Sequence, residues 1–305
     1  MDSQRIQAGL AGPIASIRTP FTEDGAIDYA SLRQIVEFDI AAGAGALLIT
    51  WGDSLFAVLS DGEIAELTRA VIESAAGRAV VVACTGRWAT AQAVEYASYC
   101  RSMGADLLQV FLPQWYPGCL NRRTTVAHHL AVGQHIPVMA NSAEFQRNGA
   151  AEGLAIAREL IERAAPVLAM KADVTGRYDG AMTSLVKDHW TIFAGGQKAF
   201  HLELWPYGCQ GYLSTFVTFM PAVTRAYWRA VGADDRPAAT RIIEQIDRPF
   251  FDAIVAMPGG FDAAMHGILE ISGLAQRWRR APFTSLDDAT MERIGSLLDS
   301  LNDTL

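Results

Sequence analysis

Val167-Leu168-Ala169-Met170-Lys171-Ala172-Asp173 combines a core-strand pattern with an ionisable pair at its end. Four apolar residues run into a lysine, and a carboxylate follows two places later. A short continuous apolar run suits a strand buried on both faces. An ammonium placed there is costly unless it has a partner. The chain holds three lysines, Lys171, Lys187 and Lys198, and all its other cationic side chains are arginines. Arginine stays protonated, whereas a desolvated lysine can lose its proton and attack a carbonyl. Burial is expected to depress the Lys171 pKa. The competing reading is a plain strand-end ion pair between Lys171 and Asp173.

Outward from this stretch, apolar strands alternate with helical patterns. Strands are expected at 13–19, 45–50, 79–85, 105–112 and 136–141, the sixth carries Lys171, and two more lie at 191–195 and 211–216. Helices are expected near 29–42, with Asp28 as N-cap, and near 61–76, 89–103, 121–134 and 151–164. Gly43-Ala-Gly-Ala-Leu-Leu and Gly104-Ala-Asp-Leu-Leu repeat one theme, a helix-ending glycine running into a strand. This is an α/β chain with the pattern of a (β/α)8 TIM barrel. An open doubly wound sheet usually carries GxGxxG or GxxxxGK[ST], and neither is present. Residues 1–219 are assigned to the barrel. Residues 220–305 show no strand pattern and are assigned to three or four additional C-terminal helices, broken at Pro258-Gly259-Gly260 and at Pro282.

Half of the 305 residues are hydrophobic, 19% are charged, and the net charge is −8. Such an acidic composition argues against nucleic acid or an anionic membrane as partner. No apolar run approaches the ~20 residues that span a bilayer. Met1-Asp2-Ser3-Gln4-Arg5 lacks the build of a signal peptide, so a cytoplasmic location is expected. Cys84, Cys100, Cys119 and Cys209 have no CxxC or metal-ligand spacing and read as reduced thiols.

In a barrel of this kind, chemistry gathers at the C-terminal ends of the strands. Those ends are Thr50-Trp51-Gly52-Asp53-Ser54, Thr85-Gly86, Pro113-Gln114-Trp115-Tyr116-Pro117, Asn141-Ser142-Ala143-Glu144, Lys171-Ala172-Asp173, Gly195-Gly196-Gln197 and Leu213-Ser214-Thr215. They hold no histidine pair and no carboxylate cluster, which argues against a metal site and for a Schiff-base site without cofactor. The Thr50 hydroxyl and the Trp51 and Gly52 amides suit a substrate carboxylate; Thr50 as a simple turn residue is the alternative. Trp51, Trp115, Tyr116, Phe145, His201 and Trp205 are read as mouth aromatics, lining either a pocket or a packed rim or subunit interface.

Together these residues resemble the dihydrodipicolinate synthase / N-acetylneuraminate lyase family. The likeness rests on Thr19-Pro20-Phe21, Asp24-Gly25 and Ile27-Asp28 after the first strand. It continues with Thr50-Trp51-Gly52-Asp53-Ser54, where the family has Gly-Thr-Thr-Gly-Glu, and with Thr85-Gly86, Lys171, Gly195-Gly196 and Gly208-Cys209-Gln210-Gly211. It implies a barrel with extra C-terminal helices, a Schiff base between Lys171 and pyruvate or another 2-keto acid, no cofactor, and a homo-oligomer (dimer or tetramer). By the same likeness, Lys171, Thr50 and Tyr116 are the expected catalytic residues. Trp51, Gly52, Asp53, Trp115, Asn141, Arg147, Gly196 and Leu213 are the expected substrate-binding set, joined by Asp173 and Gln197 as extra polar groups to which the family gives no role. The departures are specific. Trp51 replaces a threonine, Asp53 a glutamate, and Gln114-Trp115 a pair of tyrosines. Ala140 stands where the family has the proton-shuttling tyrosine before asparagine, and Tyr116, Asp173 or water is left to replace it. Two functions follow: a lyase (aldolase or dehydratase) that is not a true dihydrodipicolinate synthase, or a keto-acid-binding or regulatory protein with weakened or lost catalysis.

Overall fold

The computed structural model describes residues 3–114, 116 and 118–304. Eight parallel strands close into a barrel in sequence order: β1 Pro13–Ile17, β2 Ala46–Ile49, β3 Val80–Cys84, β4 Leu107–Gln109, β5 Val138–Asn141, β6 Val167–Ala172, β7 Thr191–Ala194 and β8 Gly211–Leu213. The expected TIM barrel is therefore present. Period-two alternation sorts each strand. Ile14, Leu48, Val82, Leu107, Met139, Ala169, Phe193 and Leu213 meet inside the barrel. Ala15, Leu47, Val81, Leu108, Val138 and Met170 face the surrounding helices. Asp28 caps the helix Tyr29–Ala41, its carboxylate accepting the Ala30 and Ser31 N–H groups.

Three expectations need correction. No element is expected before the first strand, yet Ser3–Leu10 is a helix whose Ile6 and Leu10 pack against the interior cluster. The fourth strand is much shorter than 105–112. Past Val110 the backbone leaves the ladder: the Phe111 N–H donates to Thr85 Oγ1 at 2.9 Å and the Leu112 N–H to the buried Glu144 carboxylate at 3.1 Å. The C-terminal part holds five α-helices among the described residues, not three or four: Pro221–Gly232, Arg236–Ile242, Arg248–Val255, Gly260–Ile271 and Asp288–Asn302. A π-helical turn, Ile243–Asp247, joins the second to the third.

Of these, Pro221–Gly232 sends Tyr227, Ala230 and Val231 into the barrel's outer core and so completes the eighth strand–helix unit. The later helices share a core of their own that includes Phe250, Ile254, Met265, Ile268 and Ile294, joined to the barrel through Phe216. A buried ion pair fastens the two parts. Lys198 Nζ is 2.7 Å from Asp247 Oδ1, with both side chains 2% exposed, and the ammonium lies 3.9 Å from the Phe216 ring centroid.

Candidate active site

β5 and β6 set the centre of the site. Their register pairs Ala140 with Met170 and Asn141 with Lys171. Ala140 and Met170 belong to the outward core, so alternation turns Asn141 and Lys171 inward. Ala140 consequently packs in the outer core. Asn141 occupies the inward position instead.

Lys171 Nζ lies 3.1 Å from Asp173 Oδ2, and the same oxygen accepts a 2.7 Å hydrogen bond from Asn141 Nδ2. The other carboxylate oxygen rests on the backbone of residue 195. A Cβ there would come within 1.8 Å of Asp173 Oδ1 and 2.9 Å of Lys171 Cε, so any side chain at this position would displace the pair. Desolvation pulls the Lys171 pKa down, but the Asp173 and Asp53 carboxylates outweigh it and the net shift is upward. The expected depression is therefore overturned: two anions at the mouth hold the resting side chain as an ammonium.

Asp53 belongs to the turn after β2. Its N–H donates to Thr50 Oγ1 at 2.9 Å, and Ser54 Oγ ties the turn to β1 by donating to Ile17 O at 2.6 Å. Ser16 donates to the Asp53 carboxylate, and Arg18 stands 3.8 Å away. Burial pushes the Asp53 pKa up, but Arg18, Ser16 and Lys171 bring it below the ordinary value. Thr50 is buried, and its hydroxyl proton remains available to a ligand because that oxygen acts here as an acceptor. Burial pushes the Cys84 thiol pKa up, and the Trp51 backbone beside it acts in the opposite direction.

A second cluster stands beside it. Glu144, in the short helix Ser142–Gln146, accepts two hydrogen bonds from Arg87, at 3.0 and 3.2 Å, and lies 3.3 Å from Arg147 Nε. Arg87 also lies over the rings of Trp51 and Phe111. Two guanidiniums share one carboxylate, so this edge carries surplus positive charge.

The remaining expected residues separate. Leu213 belongs to the interior cluster, whereas Gly196 and Gln197 lie on the exposed turn after β7. Tyr116 is 61% exposed, and none of the hydrogen bonds of the described residues joins its hydroxyl to the Lys171–Asp173 pair. Trp115 lies outside the described residues. Phe145 is buried in the outer core, while His201 and Trp205 belong to an aromatic cluster with Tyr227 and Trp228, so these three are packing residues.

Several participants are not among the residues expected from the sequence. Ser16 and Arg18 follow Ile14 at period two, and Arg87 directly follows Thr85-Gly86; these spacings were available signals. Gln109, two residues past the inward Leu107, is fully buried with neither amide atom hydrogen-bonded. Asp179 follows shortly after Asp173, on the helix Arg177–Val186, where Ser142 donates to it at 3.1 Å and the Val174 N–H at 2.7 Å. No metal-holding group of His, Cys, Asp and Glu occurs among the described residues.

Comparison with known proteins gives a consistent result. The model of the dihydrodipicolinate synthetase family matches residues 9–301. A 4-hydroxy-tetrahydrodipicolinate synthase of Methylococcus capsulatus is 25% identical over 288 residues, 93% of this chain and 96% of that protein. A Streptomyces avermitilis protein named "Probable 5-dehydro-4-deoxyglucarate dehydratase 2" is 25% identical over 301 residues, 97% of this chain and 89% of that one. Among solved structures, an N-acetylneuraminate lyase from Fusobacterium nucleatum superposes with a TM-score of 0.84 at 18% identity, covering 96% of this chain and 99% of that one. A dihydrodipicolinate synthase from Bacillus clausii superposes with a TM-score of 0.81 at 21% identity, covering 97% and 99%.

Proposed function

The chain belongs to the dihydrodipicolinate synthetase family, and from that premise we propose that it is a lyase that forms a Schiff base between Lys171 and pyruvate or another 2-keto acid. One observation carries the reading: an amine at the C-terminal mouth of the barrel with a carboxylate 3.1 Å away, placed to take and return its proton.

The steps balance as follows. Asp173 takes a proton from the Lys171 ammonium and becomes the neutral acid. The freed amine attacks the keto carbon, and its second proton passes to the alkoxide, giving a carbinolamine. Asp173 returns its proton to the carbinolamine hydroxyl, which leaves as water, and a protonated imine remains. That imine draws electrons from the neighbouring carbon, which opens either carbon–carbon cleavage or loss of a hydroxyl further along the chain. Thr50 Oγ–H and the Gly52 N–H hold the substrate carboxylate, and Arg147, with Arg87 beside it, attracts anionic substrate to the mouth.

Asp173 takes the part of the missing phenol, because Ala140 is in the wall and Tyr116 faces solvent. The reaction assigned is therefore cleavage or dehydration and not the condensation of pyruvate with aspartate semialdehyde. The relative named as a dehydratase supports that direction. The test is turnover on a panel of 4-hydroxy-2-keto acids, following pyruvate release and loss of water separately. Activity that disappears in Lys171→Arg is expected; no turnover on any member, with efficient condensation of the semialdehyde, would overturn the assignment.

A further inference from the structure

We propose that Asp179 is a positioning residue for the Lys171–Asp173 pair: through Ser142 and the Val174 amide it holds the Asp173 carboxylate against the Lys171 ammonium. The inference rests on the functional reading above for its catalytic meaning but not for its structural content.

The connection is continuous. The Asp173 N–H donates to Ser142 Oγ at 2.9 Å, and the Ser142 hydroxyl donates to Asp179 Oδ2 at 3.1 Å. The Val174 N–H donates to that same Oδ2 at 2.7 Å. One carboxylate oxygen thus anchors the backbone N–H groups on both sides of the Asp173 Cα, one directly and one through Ser142, just past the end of β6 at Ala172. Asp179 is completely buried, and its Oδ1 has no hydrogen-bond partner. A buried carboxylate is expensive to keep. Its own surroundings do not favour it: burial, with Asp173 and Glu203 adding to it, raises its pKa to about 7 against the two hydrogen bonds that oppose the rise. Tyr178 and Cys209 are the other titratable groups within its influence. Both of its hydrogen bonds among the described residues lead to the 173–174 segment.

The geometry makes the conservative variant informative. Both bonds end on Oδ2, so an asparagine whose carbonyl takes that place keeps both. Alanine keeps neither. The readout is the protonation of Lys171 itself, followed as the pH dependence of its acylation by acetic anhydride and quantified by peptide mass spectrometry. This measurement needs no substrate.

In Asp179→Ala and Ser142→Ala, the midpoint for Lys171 is expected to fall by about one pH unit, the lower end of an opposite-charge contribution. Asp173→Asn should move it in the same direction, and Asp179→Asn should leave it near the wild-type value. Wild-type midpoints in folded Asp179→Ala or in Ser142→Ala would overturn the proposal. If Asp179→Ala fails to fold, Ser142→Ala decides. A midpoint that shifts as expected in a protein that forms no adduct with any 2-keto acid would uphold the positioning role and remove the Schiff-base reading.

Discussion

Lys171 Nζ and Asp173 Oδ2 are 3.1 Å apart, and the carboxylate packs so closely on Gly195 that a Cβ there would reach within 1.8 Å of Asp173 Oδ1. Gly195→Ala should therefore fold yet displace the carboxylate. If Asp173 moves the proton, the rate of imine formation should drop by ~10²–10⁴, the usual contribution of a positioned acid–base group. Reductive trapping rates in the two proteins check this. An unchanged rate would remove Asp173 from the proton path.

The raised Lys171 pKa has a definite pH consequence. Imine formation requires the neutral amine, so the trapping rate should climb with pH into the alkaline range in the wild type. It should begin to climb at lower pH in Asp173→Asn, where one of the two anions is gone. The sign for stability is opposite to that of a depressed group. A lysine whose folded pKa exceeds its unfolded value stabilises the fold fully below the unfolded pKa and loses that contribution as pH rises through the folded one. Denaturant midpoints of wild type and Lys171→Met should accordingly converge toward high pH.

Thr50 provides a test of carboxylate recognition. Thr50→Val preserves shape and removes the hydroxyl. Keto-acid affinity should weaken by ~1.5–3 kcal/mol, the range for a hydrogen bond to a charged group. Calorimetric titration with pyruvate measures it, and an undiminished affinity would reassign the carboxylate site.

Lys198 is the control for reading lysines as chemistry. It is more deeply buried than Lys171, with 2% of its side chain exposed against 13%. Its partner Asp247 is equally enclosed, so the pair serves to join the barrel to the C-terminal helices. Lys198→Met should destabilise the protein by ~3–5 kcal/mol, because Asp247 is left buried and unpaired. Replacing both partners with apolar residues should recover much of that loss. Borohydride adduct formation should survive in every folded variant.

What the chain made legible follows physical range. Strand–helix alternation is local, so the barrel and the inward lysine are readable from Val167–Asp173 and its counterparts along the sequence. The site's supports are not. Asp179 reaches Asp173 through Ser142, a residue of the preceding strand end, and no spacing announces that path. At Ala140 the motif gives only the place in the chain, and the β5–β6 register adds that Asn141, not Ala140, pairs with Lys171. Burial lowers the Lys171 pKa, and Asp173 first and Asp53 second raise it: Asp173 is visible two places along the sequence, but that it and Asp53 together outweigh burial is decided by the fold. The aromatic residues Phe145, His201 and Trp205 are likewise core residues that only the fold could separate from the mouth.

The central claim is that Lys171 forms the imine. Its most direct measurement is incubation of the protein with pyruvate, reduction by borohydride, and peptide mapping of the product. The account predicts one carboxyethyl group, carried by the peptide containing Lys171 and absent from Lys171→Arg. An adduct of equal yield on Lys187 or Lys198, or on the Lys171→Arg protein, would contradict it.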